Sequence, residues 1–216
     1  MVLIAFDTAQ DATQVAVFDA AGSVLGWASE PMTTGHAERL IPMAQEVLAK
    51  AGAGFADLSR IIVDVGPGTF TGVRIALSAA RTLGWSRSVP VIGVSSLEAL
   101  AAEAGGLALA VVDARRDELY AQTFEDGVAR SAPELVQVSV LSARKNLPNR
   151  VVGSGAPLLA ANVKGMEVHH SRAWPDIVTL GLIGASREPT GAPRPLYIRA
   201  PDAKPQAAIV ALKGVA

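Results

Sequence analysis

Two aspartates stand at matching places in the two halves of this 216-residue chain, and their carboxylates are the first candidates for chemistry. Asp7 follows the apolar run "VLIAF" and Asp113 follows "LALAVV", 106 residues later. Carboxylates at the ends of equivalent strands would face each other across a cleft, where they could hold Mg²⁺ and a nucleotide phosphate. The alternative is that each aspartate caps its own turn. We favour the cap, because neither turn contains a glycine that would let backbone approach a phosphate.

A glycine-rich stretch, "VGPGTFTGVR" at residues 65–74, lies between a predicted strand and a predicted helix, where many proteins bind phosphate. It lacks the lysine of a Walker-type loop. Its third glycine comes one residue too late for a dinucleotide-binding fingerprint. We therefore do not expect this loop to hold a ligand.

The helix after that loop carries small residues at four-residue spacing, namely Gly72, Ala76, Ala80 and Gly84. Small side chains on one helix face let another backbone approach more closely than the usual separation of about 8–10 Å between helix axes. The other backbone belongs either to this protein's own sheet or to a docking partner. The spacing alone favours neither.

Three histidines complete the candidates, and they do not predict a metal site. His169 and His170 are adjacent, so their side chains point to opposite sides of an extended chain. His36 stands alone near the start of a predicted helix. No nucleophile elbow or paired catalytic spacing accompanies them.

The elements that must position these residues alternate between strand and helix. Pro42 lies inside the first helical pattern and predicts a kink or a late helix start. A Ser-x-x-Glu capping box at 95–98 opens the third helix. The predicted strands are 3–6, 14–18, 24–28, 61–65, 89–94 and 150–152, and the predicted helices are 37–51, 71–85 and 95–105.

The second half of the chain begins like the first. The segment "AVVDARRDELYAQTFEDG" can be laid over "IAFDTAQDATQVAVFDAAG" almost without a gap. This match predicts a duplicated α/β unit, with an N-terminal lobe at 1–105 and a shorter lobe at 106–216. We expect the last residues to pack back on the first lobe. The matching pairs are Asp7 with Asp113, Asp11 with Asp117, Phe18 with Phe124, and Asp19 with Glu125.

Composition excludes several classes of protein. There is no cysteine, which excludes disulfides, thiol catalysis and cysteine-ligated zinc. The formal net charge of −1 gives no overall basic footprint for nucleic acid, although it leaves room for local patches. The first residues read as a strand rather than a signal peptide or membrane span, so we expect a cytoplasmic protein.

Six stretches in order carry a family resemblance: "FDTAQDATQVAVFD", "GHAERLIPM", "GPGTFTGVRIA", "GVSSLEAL", "DARRDELY" and "PLYIRAPD". With them the chain closely resembles the TsaB (YeaZ) family, bacterial subunits of tRNA threonylcarbamoyladenosine biosynthesis once grouped with the M22 glycopeptidases. The resemblance is weakest from 128 to 190. It implies a two-lobed actin/Hsp70-like ATPase fold, which is ribonuclease-H-like, with a shortened second lobe.

The resemblance also bears on activity. Related TsaD proteins share the fold and carry the catalysis, with a metal held by a His-x-x-x-His pair in a stretch like "HHMEGH". The matching stretch here is "SSLEAL", in which Ser96 and Leu100 occupy the ligand positions. Leucine cannot coordinate a metal. The resemblance therefore implies an inactive copy with no cofactor of its own, while ATP and a metal belong to its partners.

The implied partners are TsaD in a heterodimer, the ATPase TsaE in a ternary complex, a second copy of the chain in isolation, and tRNA through the complex. The family dimerises through its first two helices, here about 36–51 and 71–85. The alternative is an ATP-binding enzyme or M22-type metallopeptidase that uses the interlobe cleft through Asp7 and Asp113. The expected docking residues are His36, Arg39, Leu40, Met43, Gly72, Arg74, Ala76, Ala80 and Gly84.

Overall fold

The computed structural model of the chain describes residues 1–199. The end of the "PLYIRAPD" stretch and the last residues that were expected to pack on the first lobe lie outside this range. Within it, no helix is long and apolar enough to cross a membrane.

The first half of the chain forms one five-stranded sheet, sheet A, with strand order β3-β2-β1-β4-β5. β1 lies between antiparallel β2 and parallel β4, and all six of its residues are buried. An apolar run without alternation is typical of a strand covered on both faces. The elements are β1 Val2–Asp7, β2 Ala12–Asp19, β3 Val24–Pro31, α1 His36–Lys50, β4 Leu58–Asp64, α2 Phe70–Arg87, β5 Val91–Val94 and α3 Ser96–Ala104.

The second half forms sheet B, with strand order β11-β10-β6-β7-β8 and with β9 also paired to β7. β6 is antiparallel to β7 and parallel to β10, which repeats the arrangement of β1 with β2 and β4. The elements are β6 Leu107–Asp113, β7 Glu118–Glu125, β8 Val128–Ala129, β9 Glu134–Gln137, α4 Val138–Ser142, β10 Arg150–Val152, α5 Ala156–Ala160, β11 Glu167–His170 and α6 Ile177–Ala185.

Helices cover both faces of sheet A. α1 and α2 pack on one face, through residues such as Leu40, Met43 and Ala76. α6 packs on the other face with Ile177 and Leu180, although it comes from the second half of the chain. α3 joins the lobes, because it also packs against β6, β7 and β10. The first lobe is therefore completed by a helix that follows the predicted boundary at residue 105.

In the described part of the chain, α1 has no late start and α3 has no capping box. α1 begins at His36 and continues through Pro42, so the helix does not start late. At α3 the Ser95 hydroxyl accepts a hydrogen bond from the Leu97 N–H at 3.2 Å, as an N-cap does. Glu98, however, forms an ion pair with Arg187 instead of closing a capping box.

Candidate functional site

Asp7 is fully buried and its carboxylate partners lie within the first lobe. Its Oδ1 accepts a hydrogen bond from the Ala9 N–H at 2.7 Å, and its Oδ2 accepts one from Gln14 Nε2 at 2.8 Å. The nearest carboxyl group is that of Asp64, which ends the neighbouring parallel strand β4. The turn-capping interpretation is therefore correct for Asp7. The pairing of Asp7 with Asp113 across a cleft is wrong.

Asp64 is the second member of this buried carboxyl pair. It accepts hydrogen bonds from the Gly66 N–H at 2.6 Å and from the Ser96 hydroxyl at 2.7 Å. Burial raises the pKa of both carboxyl groups, and the charge of Asp7 raises the pKa of Asp64 further. Two carboxyl groups in one dry site do not both ionise. The pKa of Asp64 is raised further than that of Asp7, so Asp64 is the member of the pair that holds a proton to higher pH.

The glycine-rich loop closes directly over the turn that follows β1. A Cβ at Gly68 would collide with the carbonyl oxygen of Ala9, and one at Gly72 would collide with that of Thr8. The Thr69 N–H donates to the Ala9 carbonyl at 2.7 Å, and the Thr8 hydroxyl donates to the Gly72 carbonyl at 2.7 Å. These glycines are required by close contact between two backbone segments.

A cleft of about 360 Å³ does lie between the lobes, with Asp113 but not Asp7 in its lining. Asp113 accepts a hydrogen bond from the Arg115 N–H at 2.8 Å, so it caps its own turn. The Arg115 guanidinium lies 3.4 Å from Asp11 of the first lobe and 3.7 Å from Asp113. The cleft thus contains one exposed arginine shared by two carboxylates.

The positions of the TsaD-type metal ligands do not fit a metal here. Ser96 is fully buried, and its hydroxyl proton is directed to Asp64. Leu100 is 1% exposed and packs with Leu97 and Val112 in the core beneath α3. Among residues 1–199, His, Asp and Glu side chains form no group of three that could hold a metal ion.

Most of the predicted docking residues are buried inside the protein, which corrects that prediction. Ala76 and Ala80 are 0% exposed, because they pack on sheet A. These small side chains allow α2 to pack closely on sheet A, and their burial there keeps them from contacting a partner. The same correction applies to the other buried members, His36, Leu40, Met43, Gly72 and Gly84.

Three of those buried residues have specific internal partners. His36 Nδ1 lies 2.8 Å from the Thr13 hydroxyl, and burial lowers the pKa of His36. Gly72 faces the backbone of Thr8, as described above. A Cβ at Gly84 would collide with Val91 of β5.

The exposed surface of the same two helices is an apolar groove of about 500 Å³. Ala37 and Ile41 of α1 line one wall, and Thr71, Ile75 and Ser78 of α2 line the other. Of the predicted docking residues, Leu40 and Arg74 line this groove, and Phe70 at the start of α2 lines it as well. We call this surface the α1–α2 groove.

Arg39 of α1 is not among the residues that line the groove, and two carboxylates hold it in place. Its guanidinium donates to Glu30 Oε2 at 2.7 Å and to Glu46 Oε1 at 2.7 Å. These hydrogen bonds raise the pKa of Arg39. The same contacts lower the pKa of Glu30 and of Glu46. Arg39 therefore fixes α1 against β3.

The sequence reasoning missed Asp64 and the glutamines that serve the carboxyl pair. Asp64 follows the apolar run "IIV" of β4 as Asp7 follows that of β1, and this signal was available. Gln10 has no such signal. Its Nε2 donates to the Pro67 carbonyl at 2.8 Å and to Ser96 at 2.9 Å.

The two adjacent histidines differ in their exposure to solvent. His169 is exposed, whereas His170 is half-buried, with its Nε2 3.6 Å from Glu103 of α3. Burial lowers the pKa of His170 and raises that of Glu103. Glu103 also accepts from Arg172 at 2.6 Å and from the Asp176 N–H at 2.9 Å. This cluster joins α3 to the segment that leads into α6.

Comparison with known proteins places the chain in a family. A profile of the family described as TsaD, tRNA N6-adenosine threonylcarbamoyltransferase, matches residues 26–148, more than half of the chain. An uncharacterised protein of Mycobacterium tuberculosis is 38% identical over 174 residues, which are 80% of this chain and 79% of that protein. The Escherichia coli tRNA threonylcarbamoyladenosine biosynthesis protein TsaB is 34% identical over 125 residues, which are 56% of this chain and 53% of that protein.

The fold agrees with these relatives. A solved structure from Pseudomonas aeruginosa, described as an uncharacterised protein with similarity to the peptidase YeaZ, superposes with a TM-score of 0.79 at 27% identity. The match covers 92% of this chain and 99% of the other. The two-lobed α/β fold expected from the sequence is confirmed. The chain therefore belongs to the TsaD family, and its resemblance to the TsaB (YeaZ) proteins is confirmed.

Proposed function

We propose that this chain is a non-catalytic subunit in the formation of threonylcarbamoyladenosine in tRNA, and that it acts by docking a TsaD protein of the same fold. The pathway comes from the names of its TsaB relatives. The α1–α2 groove carries the proposal, because it is an apolar surface that the rest of the described chain leaves open. Apolar surface of this kind on a folded protein is typical of an interface.

A supporting role fits the chemistry of the residues in the first lobe. Ser96 and Leu100 provide no pair of metal ligands, and the carboxyl pair is closed by hydrogen bonds from within the chain. Glycines of the loop contact the turn after β1 instead of leaving room for a phosphate. Catalysis is accordingly assigned to the partner.

The proposal extends to the wider assembly. We place the chain in the cytoplasm, in a complex with TsaD and the ATPase TsaE, which would supply the metal and ATP. A second copy of the chain would occupy the α1–α2 groove when TsaD is absent.

The test measures whether TsaD co-purifies with a variant in which a new side chain fills the groove and the core is unchanged. Ser78 is exposed in the groove, so Ser78→Arg places a long cation among apolar residues. We expect the variant to fold normally and to lose co-purification with TsaD. Ser139→Arg is the matched control, since Ser139 is exposed on α4, away from the groove. Retention of TsaD by Ser78→Arg would show that the interface lies elsewhere.

Activity provides the second readout. Formation of threonylcarbamoyladenosine is measured with TsaD and TsaE, with the wild-type chain, with Ser78→Arg or with no added chain. We expect Ser78→Arg to match the reaction without the chain. Micromolar binding of Mg-ATP to the isolated chain in calorimetry would contradict a non-catalytic role and support the enzyme alternative.

A further inference from the structure

One flank of α2 carries exposed aromatic and arginine side chains, and its N-terminal end borders the α1–α2 groove. It consists of Phe70, Arg74, Arg81 and Trp85. A helix turns about 100° per residue, so these four positions lie within about 60° of one another. Trp85 is 86% exposed and Phe70 is 55% exposed. Large aromatic side chains are rarely this open on a protein surface.

The segment at 193–199 runs along this flank and extends it. The Tyr197 ring stacks on Phe70 with 5.3 Å between centroids, and the Arg74 guanidinium lies 4.6 Å from the centre of the Phe70 ring. Arg81 donates a hydrogen bond to the carbonyl of Pro193. These contacts hold the segment beside α2.

Between α2 and this segment lies an open groove of about 1170 Å³. Arg81 and Trp85 line one wall, and Pro193 and Arg194 line the other. No aspartate or glutamate is among its lining residues in the described part of the chain. We call this surface, from Tyr197 and Phe70 to Trp85 and Arg194, the aromatic–arginine flank.

The charged side chains of the two segments that build the flank are all positive. α2 and residues 189–199 contain five arginines and no aspartate, glutamate or lysine, in a chain whose net charge is −1. Arg199 pairs with Glu118. The remaining arginines are Arg74, Arg81, Arg87 and Arg194. Within residues 1–199, none of these four forms an ion pair with a carboxylate.

We propose that the aromatic–arginine flank binds a single-stranded segment of RNA directly. Arginines without a carboxylate partner attract phosphates, and the open ring of Trp85 can stack on a base whatever its sequence. Phe70 and Trp85 are separated by about 22 Å along the helix, at a rise of about 1.5 Å per residue. This length suits a short single-strand site of about 4 nucleotides. The choice of RNA over DNA rests on the proposed function.

An acidic protein partner would also meet the arginines, but it would leave the exposed Trp85 ring without a matching flat ligand. The flank shares Phe70 and Arg74 with the α1–α2 groove, whereas Arg81, Trp85 and Arg194 lie outside that groove. RNA contact through these three residues is therefore separable from docking of TsaD.

The test uses the full chain and a fluorescein-labelled single-stranded RNA of mixed sequence, and it measures binding by fluorescence anisotropy. We expect Trp85→Ala to weaken RNA binding about 5- to 150-fold. Trp27→Ala is the matched control, since Trp27 is 60% exposed on β3, outside the flank. Equal affinity in the two variants, or no binding by the wild type at about 50 mM salt, would overturn the proposal.

Charge is tested separately by the double variant Arg81→Gln/Arg194→Gln. Each phosphate contact on a single strand contributes about 0.7 to the slope of log affinity against log salt, so the slope should flatten by about 1.4. Arg116→Gln/Arg130→Gln removes the same charge from exposed positions elsewhere and should leave the slope unchanged. Unchanged slopes in both double variants would overturn the proposal.

Measuring both RNA binding and co-purification of TsaD for each variant distinguishes this inference from the proposed function. If Trp85→Ala loses TsaD but binds RNA like the wild type, the flank is a protein interface and the inference is wrong. If Ser78→Arg retains TsaD while Trp85→Ala alone loses RNA, the docking proposal fails and the inference stands.

Discussion

Replacement of Asp64 by asparagine should change how stability depends on pH, because the amide resembles the protonated carboxyl. In the native protein Asp64 accepts hydrogen bonds from the Gly66 N–H and the Ser96 hydroxyl, and it shares a hydrogen bond with Asp7. Asparagine can accept the first two through its oxygen and donate the third through its amide nitrogen. We therefore expect Asp64→Asn to fold.

The size of the change in the free energy of unfolding with pH follows from the release of one proton. Burial and the charge of Asp7 raise the pKa of Asp64 well above the ordinary value of 3.8. Above that ordinary value the unfolded chain has released a proton that the native chain still holds. The free energy of unfolding of the wild type therefore falls as pH rises, by about 1.4 kcal/mol per pH unit, until the pH passes the native pKa of Asp64. This contribution is absent in Asp64→Asn.

The measurement is urea unfolding of both proteins by circular dichroism, at steps between about pH 5 and about pH 8. The difference between the two free energies of unfolding cancels the titration of other groups, such as His36 and His170. We expect the variant to gain stability relative to the wild type as pH rises. The control is Asp113→Asn, which removes a partly exposed carboxyl of the cleft and leaves the buried pair intact. A flat difference for Asp64→Asn would refute the shared-proton arrangement.

Three further predictions concern packing and can be checked by urea unfolding. Ala76→Arg should destabilise the chain by about 3 kcal/mol or more, because the position is 0% exposed, whereas the exposed Ser78→Arg should change stability by less than about 0.5 kcal/mol. Equal stability of the two would show that the small-residue face is open. Gly68→Ala should cost about 1–3 kcal/mol through collision with backbone, and Gly54→Ala, whose Cβ would have no neighbour closer than 3.9 Å, should not share that loss. Thr8→Val should cost about 1–3 kcal/mol, since the buried hydroxyl both donates to and accepts from the backbone of α2, and a neutral result would contradict that role.

Much of the fold could be predicted from the sequence because local patterns carry it. The apolar run before Asp7 and the one before Asp113 predicted the first strands of two similar units, and the sheets repeat the same pairing. The helical spacing around residues 37–51 and 71–85 predicted α1 and α2 within two residues at each end. Periodicity of apolar residues depends only on neighbours in sequence, so it can be read from a single chain.

The sequence by itself determined that α2 has a face of small residues, but only the tertiary structure decided what that face meets. Gly72 and Ala76 suit close packing on a sheet as well as on a partner helix, and the strand order places sheet A there. The partner of Asp7 was undecided for the same reason. Asp64 is distant in sequence, and only parallel pairing of β1 with β4 brings the two carboxyl groups together in one dry site, where they must share a proton. Contacts between segments far apart in the chain depend on strand order and on how the chain returns, and no local spacing encodes them.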